Sequence, residues 1–497
     1  MNLLIIHPTP GLEREQPYLS ACEILSDKGH NVVFAYNGLR LTSASTVPTE
    51  DFNQWVSENY QLIDSTDIAT LEAKYPDSNL WLGVVSERRV ENYSLLNGSY
   101  PTVVYGRDEL IYLVKAIVLF YEYVIDKHKI QAVLAHHTDN IHSSLLFEMS
   151  RSRSFVSFLL FPDYYWNQSW YYLFDSKYFT STNIKEYYVK ALQEYDTMVL
   201  PRESEIVDYL NQRNRKDPSV SSKGVLPRLS LGANIQNSLR VLRRSGIRFF
   251  WRKPWIIEGY GHVHIFPSLK GFAIRSVNLL RNRHSRAFKK LLPDVPFVYF
   301  PLQRVPEAAM LSRATAYLNQ LGLIQSISAA LPAGYMLVVK DHPRSIGIHG
   351  PDFYRAMDKL PNVVVMEATY PNHQILDECD LVITIAGTLG FQQLMRGKPV
   401  VMFGRKFYEL LDGVLRINDM NELPYKLKKY LRSEGIPEPE QMRKSLYAFI
   451  AAMLEYRYEV DADAKSLHRK PEVLAGLIDR MIEKELNWLV DRSVKEE

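Results

Sequence analysis

The sequence lacks several features that would assign it to a protein class at once. It has only two cysteines among 497 residues, Cys22 and Cys379, and they lie far apart. That count excludes a disulfide framework or a four-cysteine zinc site, and it is typical of a protein from a reducing compartment. Low-complexity tracts and internal repeats are also missing. We therefore expect an ordinary globular protein.

Long apolar runs are missing as well. The first one, Leu3–Ile6, is too short for the hydrophobic part of a signal peptide, and no basic residue precedes it. The longest, Tyr112–Ile125, is interrupted by Lys115 and Glu122, whereas a bilayer-spanning helix needs about 20 apolar residues. We predict a cytoplasmic protein without a spanning segment, whose surface contacts the inner face of a membrane at most.

Charge of one sign is not in excess. The 59 Lys and Arg residues face 56 Asp and Glu residues, for a net charge of +3. This balance does not indicate a nucleic-acid partner. The apolar fraction of 46% excludes a disordered chain. A length of 497 residues, against about 150 for a typical domain, predicts more than one domain.

The first 200 residues alternate between strand and helix patterns. The buried strand Leu3–Ile6 is followed by a helical pattern that Gly29 ends, and then by the strand Asn31–Tyr36. This order is a βαβ unit, which predicts a parallel sheet with a right-handed crossover. A helix over 108–127 and the strand Ala132–Ala135 repeat it. We predict an N-terminal α/β domain over 1–200.

A second alternation runs from residue 293 to residue 436. We expect one helix over 308–330 and another over Thr388–Arg396. The predicted strands are Phe297–Phe300, Tyr335–Val339, Val363–Met366, Leu381–Ile385 and Pro399–Phe403. This order is typical of a doubly wound sheet. The remaining segment, 437–497, has mostly helical periodicity.

The segment 201–292 between these domains has an unusual composition. From Ser238 to Lys290 it holds thirteen Lys and Arg residues but one acid, Glu258, and Trp and Phe residues are interleaved. One interpretation is a solvated helical linker. Another is a basic, aromatic surface for anionic lipid or a phosphorylated acceptor. Nucleic acid is a weaker third interpretation.

Candidate ligand-binding residues follow the predicted strands of the second domain. Ligands of open α/β sheets bind at the carboxyl ends of the strands. Lys340, His342 and Arg344 follow one strand and offer cationic or hydrogen-bonding groups for a phosphate. Gln303 and Arg304 follow another, within the segment 301–307. The alternative for each loop is a set of solvated surface charges.

Two further features of these loops could have either a ligand-binding role or a purely structural role. Gly387 and Thr388 close a strand and open a helix, which favours close backbone approach and anion binding, but Thr388 could also be a plain helix cap. Glu307 could bind a hydroxyl group or cap a helix. We interpret the segment 397–404 as structural, because its glycine and proline mark the end of one element and the start of the next.

The N-terminal domain has its own titratable cluster after the strand Ala132–Ala135. His137 and Asp139, within the segment 136–140, are suited to proton transfer. No further ligand set is spaced for a metal ion, so we expect none. His7 and Gly11 follow the first strand and could line the same cleft, and His142 is near in sequence.

The stretch 297–404 resembles the capsule polysaccharide biosynthesis family of bacterial glycosyltransferases. The resemblance rests on FPLQRVPEA, VVKDHPR and TIAGTLGFQQLMRGKPVVMFG, in that order. It implies two Rossmann-like α/β domains that face a cleft (GT-B type), joined by the basic helical segment and followed by C-terminal helices. It also implies a metal-independent transferase without a cofactor, which uses a nucleotide-sugar donor and a glycan or lipid-linked acceptor.

The resemblance also implies roles for residues. The donor phosphate is assigned to Arg304, Lys340, His342, Arg344, Gly387 and Thr388. The donor sugar or ribose is assigned to Gln303, Glu307 and Gln392. The acceptor is expected on the N-terminal domain, with His137 or Asp139 as the catalytic base. The family usually carries Glu-Ala where this chain has Gln392 and Gln393, which leaves the donor sugar and the activity open.

Two other functions remain open from the sequence. One is a related transferase that moves a polyol phosphate from a CDP-activated donor. The other is a non-catalytic scaffold in a polysaccharide assembly complex. The basic segment 238–290 and the uncharged Gln392 favour the second alternative, and the same segment is the candidate for peripheral membrane contact.

Overall fold

The computed structural model contains two seven-stranded sheets. It describes residues 1–7, 12–36, 45–87, 90, 104–135, 140–163, 169–215, 265–283, 285–304, 307–461 and 467–490. Strand and helix labels below follow chain order.

The first sheet has the strand order β14-β6-β5-β4-β1-β2-β3. Its strands are β1 (Asn2–His7), β2 (Asn31–Tyr36), β3 (Thr49–Asp51), β4 (Ala132–Ala135), β5 (Val156–Pro162), β6 (Trp170–Phe174) and β14 (Tyr458–Glu459). The five strands from β5 to β3 are parallel. At the other edge, β6 and β14 are antiparallel additions.

The second sheet is parallel throughout and has the order β13-β12-β11-β8-β9-β10-β7. Its strands are β7 (Phe288–Lys289), β8 (Phe297–Pro301), β9 (Met336–Lys340), β10 (Val363–Met366), β11 (Leu381–Thr384), β12 (Val400–Met402) and β13 (Val414–Arg416). The central strands are continuous apolar runs because both faces of a parallel sheet are covered.

Helices cover the sheets. Those of the first part of the chain are α1 (Leu12–Asp27), α2 (Phe52–Glu58), α3 (Tyr60–Ser65), α4 (Ile68–Ala73), α5 (Trp81–Ser86), α6 (Arg107–His128), α7 (Ile141–Met149), α8 (Thr182–Gln193), α9 (Tyr195–Met198) and α10 (Glu203–Arg215). Those that follow are α11 (Ile265–Arg283), α12 (Ala308–Leu311), α13 (Gln320–Ala330), α14 (Pro351–Asp358), α15 (Asn372–Glu378), α16 (Thr388–Leu394), α17 (Leu423–Leu431), α18 (Pro439–Glu455) and α19 (Pro471–Met481). Short 3₁₀ turns and a π-helical turn over Ile482–Leu486 complete the list.

The predicted class, α/β with two Rossmann-like sheets, is confirmed. One predicted helix is wrong. The segment 308–330 is divided into α12, a 3₁₀ turn over Thr315–Tyr317, and α13. The division occurs because the Asn319 side chain accepts the Gly322 N–H at 3.1 Å and starts a new helix.

The C-terminal segment returns to the first sheet. Tyr458 of β14 pairs with Tyr171 of β6. The α18 helix packs on α8, where the Tyr188 and Ser445 hydroxyl groups are 2.8 Å apart. The helices predicted over 437–497 therefore complete the half of the molecule that the N-terminal residues begin. Most of the predicted linker lies outside the described residues, but α11 packs on the second half: Arg275 Nε donates to the Ile346 carbonyl at 3.1 Å.

Two further observations concern the cysteines and the length of the apolar helices. Cys22 and Cys379 are both buried and free. Within the described ranges, no helix combines the length and apolar character that crossing a membrane requires.

Candidate functional site

Four strand-end loops meet at one edge of the second sheet. The central strand β8 pairs with β9 on one side and with β11 on the other, and β11 pairs with β12, all in parallel. Their carboxyl ends therefore lie at the same edge. The structure places there the predicted ligand residues Gln303, Arg304, His342, Gly387 and Thr388.

A glycine is required at position 387 because neighbouring side chains approach its Cα closely, and not because of its backbone angles. Its φ is −82°, which any residue can adopt. However, a Cβ atom at this position would lie 2.6 Å from Gln303 Nε2 and 2.7 Å from Thr384 Oγ1. The Gly387 N–H also donates to Thr384 Oγ1 at 3.0 Å. The loops after β8 and β11 thus touch at Gly387, as close backbone approach predicted.

Gln303 is fixed by a second amide. The Gln303 N–H donates to Gln320 Oε1 at 2.7 Å, and Gln320 Nε2 donates to the Gln303 carbonyl at 2.9 Å. The Gln303 side chain then lies between the Pro301 carbonyl and Thr384. Gln320, at the start of α13, holds the position of a candidate ligand residue, and nothing in its local sequence indicated this.

Tyr408 holds the Gly387 loop from the other side. Its hydroxyl group is buried and donates to the Gly387 carbonyl. A Cβ atom at Gly390 would lie 2.4 Å from the same hydroxyl group. Sequence analysis missed Tyr408 because it follows Gly387 by 21 residues and only the fold brings them together.

Thr388 is the first residue of α16, and Gly387 is its N-cap, so the interpretation of Thr388 as the cap is wrong. No side chain caps this helix, since Gly387 has none to offer. The Thr388 side chain is half-buried and makes no hydrogen bond within the described parts of the chain. Its hydroxyl group therefore remains available at the edge of the sheet.

Lys340 lies beneath the edge. It is 3% exposed, and its Nζ donates to Asn372 Oδ1 at 2.7 Å; the same oxygen accepts the Tyr299 hydroxyl at 3.1 Å. Its charge is therefore close to the edge, but its amine is already engaged at the start of α15. Direct contact between Lys340 and a phosphate remains a prediction.

Asp341 shapes the turn that presents His342. One carboxylate oxygen accepts the His342 backbone N–H at 2.7 Å, and the other accepts the Tyr354 hydroxyl. Burial, and then the Asp341 charge, raise the pKa of Tyr354 well above its usual value. His342 is half-buried. The side chain of Arg344, which belongs to the turn Pro343–Ser345, lies outside the described part of the structure.

Arg304 has unused hydrogen-bonding capacity. Its Nε is shielded from solvent and has no hydrogen-bond partner among the residues that the structure describes. A buried donor without an acceptor is costly, so this atom is suited to an anionic ligand. Glu307 accepts the N–H groups of Met310 and Leu311 through its backbone carbonyl at the start of α12, so its carboxylate takes no part in this cap.

The two glutamines that replace the family's Glu-Ala have different surroundings. Gln393 points into the core, where its Nε2 lies 3.5 Å from Cys379 Sγ. Gln392 follows Thr388 by four residues and shares its face of the helix. Of the two, only Gln392 remains a candidate for the donor sugar.

The predicted catalytic residues of the N-terminal half lie in the gap between 135 and 140. His137 and Asp139 are outside the described residues, as is Gly11. His142 is 1% exposed and packs against Phe52 at 4.8 Å, so it is a core residue. His7 is also buried. Within the described ranges, no group of three or more His, Cys, Asp or Glu residues could hold a metal ion.

A cavity is lined by residues from both halves of the molecule. The first half contributes aromatic and apolar residues from the ends of β5 and β6, together with Asp163. The second half contributes Lys406, which follows β12. The full lining is Phe161, Pro162, Asp163, Tyr172, Phe174, Phe179, Lys406, Phe407 and Met453.

The edge just described lies in the part of the chain that has a family match. Residues 268–416 match the model of a family described as "Capsule polysaccharide biosynthesis protein". The resemblance predicted from the strand-end motifs is confirmed for this region. The capsule polysaccharide biosynthesis region includes β7 to β13, and so it carries every candidate ligand residue of the second half.

Three proteins that are similar to this chain differ in how much of it they cover. A lipopolysaccharide-processing protein, LpsZ of Rhizobium meliloti, is 33% identical over 72 residues, which are 14% of this chain and 16% of that relative. The beta Kdo 2,7 transferase of Thermosulfurimonas dismutans KpsC has 14% identity over 71% of this chain and 88% of its own, at a TM-score of 0.34. The spinosyn rhamnosyltransferase SpnG with thymidine diphosphate has 12% identity over 92% and 99%, at a TM-score of 0.25.

Proposed function

We propose that the chain is a glycosyltransferase that moves a sugar from a nucleotide-sugar donor onto a bacterial surface polysaccharide. The proposal rests on one observation: the loops after β8, β9 and β11 bring phosphate-compatible groups to one sheet edge, within the region that matches the capsule polysaccharide biosynthesis family. The partial match to a lipopolysaccharide-processing protein is consistent with a surface glycan as the product.

The donor phosphate would bind between the loops after β8, β9 and β11. Arg304 Nε is an unused donor in the loop after β8, and the half-buried Thr388 hydroxyl follows β11. His342 and Lys340 would add a directional donor and a nearby positive charge. These groups would stabilise the negative charge that develops on the leaving phosphate, where one donor contributes about 3 kcal/mol in comparable sites. In this proposal they do so without a metal ion.

The sugar and the acceptor would occupy the space toward the first sheet. Gln303, Glu307 and Gln392 are the candidates for hydroxyl groups of the donor. The acceptor would bind at the carboxyl edge of the first sheet, near Phe161 and its partner Tyr172. His137 or Asp139, in the gap after β4, remains the proposed base. In this proposal the site lies between the two sheets, where a bound donor would be protected from water.

The position of the protein in the cell is part of the same proposal. The α11 helix exposes Val277 and Leu280 on the face that also carries Lys270 and Arg281. A basic surface with exposed apolar side chains is suited to anionic lipid. We therefore propose a cytoplasmic protein that contacts the inner face of the membrane through this surface. Vesicle sedimentation tests this: Val277→Asp with Leu280→Asp should reduce binding to phosphatidylglycerol vesicles, whereas Val189→Asp on α8 should not.

Calorimetry with CMP-, UDP-, GDP- and CDP-activated donors tests the main proposal. We expect one nucleotide class to bind, and we expect His342→Ala and Arg304→Gln each to weaken it about tenfold, or about 1.4 kcal/mol. The matched control is Lys428→Gln, an exposed residue of α17. If no donor binds, and neither variant differs from the control, the proposal is wrong. Binding of CDP-glycerol alone would indicate a polyol phosphate transferase, and partner binding without turnover would indicate a scaffold.

A further inference from the structure

The α11 helix holds the loop between β9 and α14 through its side chains. Four consecutive carbonyl groups of this loop, those of residues 346–349, accept hydrogen bonds from α11. Arg275 Nε donates to the first at 3.1 Å, Asn278 Nδ2 to the next two at 3.2 and 3.3 Å, and Asn282 Nδ2 to the last at 2.9 Å. A loop has no strand or helix partners for its carbonyls, so the neighbouring helix supplies their donors.

The three donors lie on one face of α11. Positions 275, 278 and 282 follow the helical spacing that places side chains on the same side. The exposed residues Val277 and Leu280 are also three apart, and they lie on the opposite side. The helix therefore has one face for the loop and a separate face for solvent, or for the lipid surface proposed above.

Gly347 brings the loop directly against the helix. Its φ is +82°, which glycine adopts without strain. A Cβ atom at this position would lie 2.5 Å from Leu279 Cγ and 3.0 Å from the Arg275 carbonyl oxygen. No side chain at position 347 separates the loop from the helix, so the loop carbonyls lie within reach of the α11 side chains.

Main-chain hydrogen bonds connect the held carbonyls to His342. The Ser345 N–H donates to the His342 carbonyl at 2.8 Å, and the Ile348 N–H donates to the Ser345 carbonyl at 2.8 Å. Ile348 in turn offers its own carbonyl to Asn278. On the other side, the Asp341 carboxylate accepts the His342 N–H at 2.7 Å. The turn that carries His342 is thus held at both ends, once by Asp341 and once by α11.

We propose that Arg275, Asn278 and Asn282 are positioning residues of the donor site, which hold the loop of residues 342–349 in the conformation that binds the donor phosphate. The inference rests on the proposed function in taking His342 as a phosphate ligand. A donor that binds a loop of fixed conformation does not also have to order that loop. The contacts from α11 should therefore raise the affinity for the donor.

Hydrogen exchange without a ligand provides the first test. It is followed by mass spectrometry on the full-length protein, with Asn278→Ala and Asn282→Ala combined. The amides of residues 345–348 should exchange at least tenfold faster, because local opening of the loop becomes easier. Those of the central strand β11 should exchange as in the unsubstituted protein. The matched control is Ala273→Ser, at an exposed position of the same helix, and it should change neither region.

Two outcomes of this experiment would overturn the proposal. One is unchanged exchange over residues 342–349. The other is equal acceleration there and in β11, which would show that α11 stabilises the whole domain without positioning the loop in particular. Asn282→Ala alone removes a single hydrogen bond, to the His349 carbonyl. It serves as the second variant if the double variant does not fold, and it should accelerate the same amides at least threefold.

Donor binding provides the second test, in a cycle with His342→Ala. In calorimetry with the nucleotide class that binds, Asn278→Ala with Asn282→Ala should weaken the affinity about tenfold. In the His342→Ala background the same pair of substitutions should weaken it less than twofold, because positioning residues act through the turn that carries His342. An equal loss in both backgrounds, or no loss in either, would overturn the proposal.

The two tests separate this inference from the proposed function. If no donor binds, the proposed function is wrong, and hydrogen exchange alone still decides whether α11 positions the His342 turn. If a donor binds but the α11 variants change neither exchange nor affinity, the proposed function stands and this inference is wrong.

Discussion

Particular buried charges in the two halves of the molecule differ in how completely they are paired. In the half built on the first sheet, Glu148 is paired with Lys177 and lies 3.6 Å from Arg151. Glu485 accepts the Tyr458 hydroxyl at 2.6 Å and the Asn183 amide at 2.9 Å.

In the half built on the second sheet, the Lys406 amine lies 5.2 Å from the centroid of the Phe179 ring, and Arg304 Nε has no hydrogen-bond partner within the described residues. Buried polar groups that have hydrogen-bond or ion-pair partners stabilise the fold. Buried polar groups without such partners indicate a candidate ligand site. The comparison predicts that changes in the first half cost stability, and that changes at the edge of the second sheet cost binding.

The largest expected effect is in the first half. Lys177→Met removes the buried partner of Glu148 and leaves that carboxylate with the exposed Arg151, so we expect a loss of about 3–5 kcal/mol in the free energy of unfolding. Denaturant unfolding measures it. Lys190→Met, which breaks only the exposed pair with Glu194, should change stability by less than about 0.5 kcal/mol. Equal effects of the two variants would contradict the prediction that the buried ion pair stabilises the first half.

The next largest expected effect is a dependence of the free energy of unfolding on pH. Burial raises the pKa of Glu485 from 4.5 to about 7, against the opposing hydrogen bonds from Asn183 and Tyr458. Below pH 4.5 both states are protonated; as the pH rises toward 7, the unfolded chain ionises and the folded protein does not. The folded state therefore loses stability over this window, on the order of 3 kcal/mol in total.

Glu485→Gln should abolish that part of the decline, as measured by unfolding between pH 5 and pH 8. The exposed Glu483→Gln is the control and should retain the wild-type profile. A Glu485→Gln profile parallel to that of the wild type would contradict the prediction.

The smallest loss of stability, with the largest loss of binding, is expected at the edge of the second sheet. Gly387→Ala puts a methyl group 2.6 Å from Gln303 Nε2 and 2.7 Å from Thr384 Oγ1. We expect about 1–3 kcal/mol of destabilisation, and at least tenfold weaker donor binding in calorimetry because the loops after β8 and β11 move apart. Gly334→Ala has nothing within 4 Å of the new methyl group and should change neither quantity. Unchanged binding in Gly387→Ala would contradict a donor site at this loop.

Long apolar runs and strand-end motifs could be read correctly without coordinates. Asn31–Tyr36, Ala132–Ala135 and Val363–Met366 are strands with the predicted bounds. Such runs are specified locally, since a strand buried on both faces must be apolar throughout. The motif residues after them lie at one edge, because parallel strands bring their carboxyl ends together, and their role as ligands stays a prediction.

Short edge strands and distant contacts could not be read in the same way. The two-residue strand β14 has no pattern of its own, and it exists only because Tyr171 lies beside it. The break in the predicted helix 308–330 depends on a single capping side chain, Asn319. In such cases local preference is weak and a tertiary contact decides.

The amino-acid sequence by itself determined the α/β class, the central strands and the loops that carry the candidate phosphate ligands, because periodicity and strand-end position are local properties of the chain. Tertiary structure alone decided that Lys340 is engaged by Asn372 and that Lys406 and Arg313 share the Phe179 ring. Whether a charged group is paired depends on neighbours that are remote in the chain. Its burial, its partners and hence its role are therefore set only when the whole chain has folded.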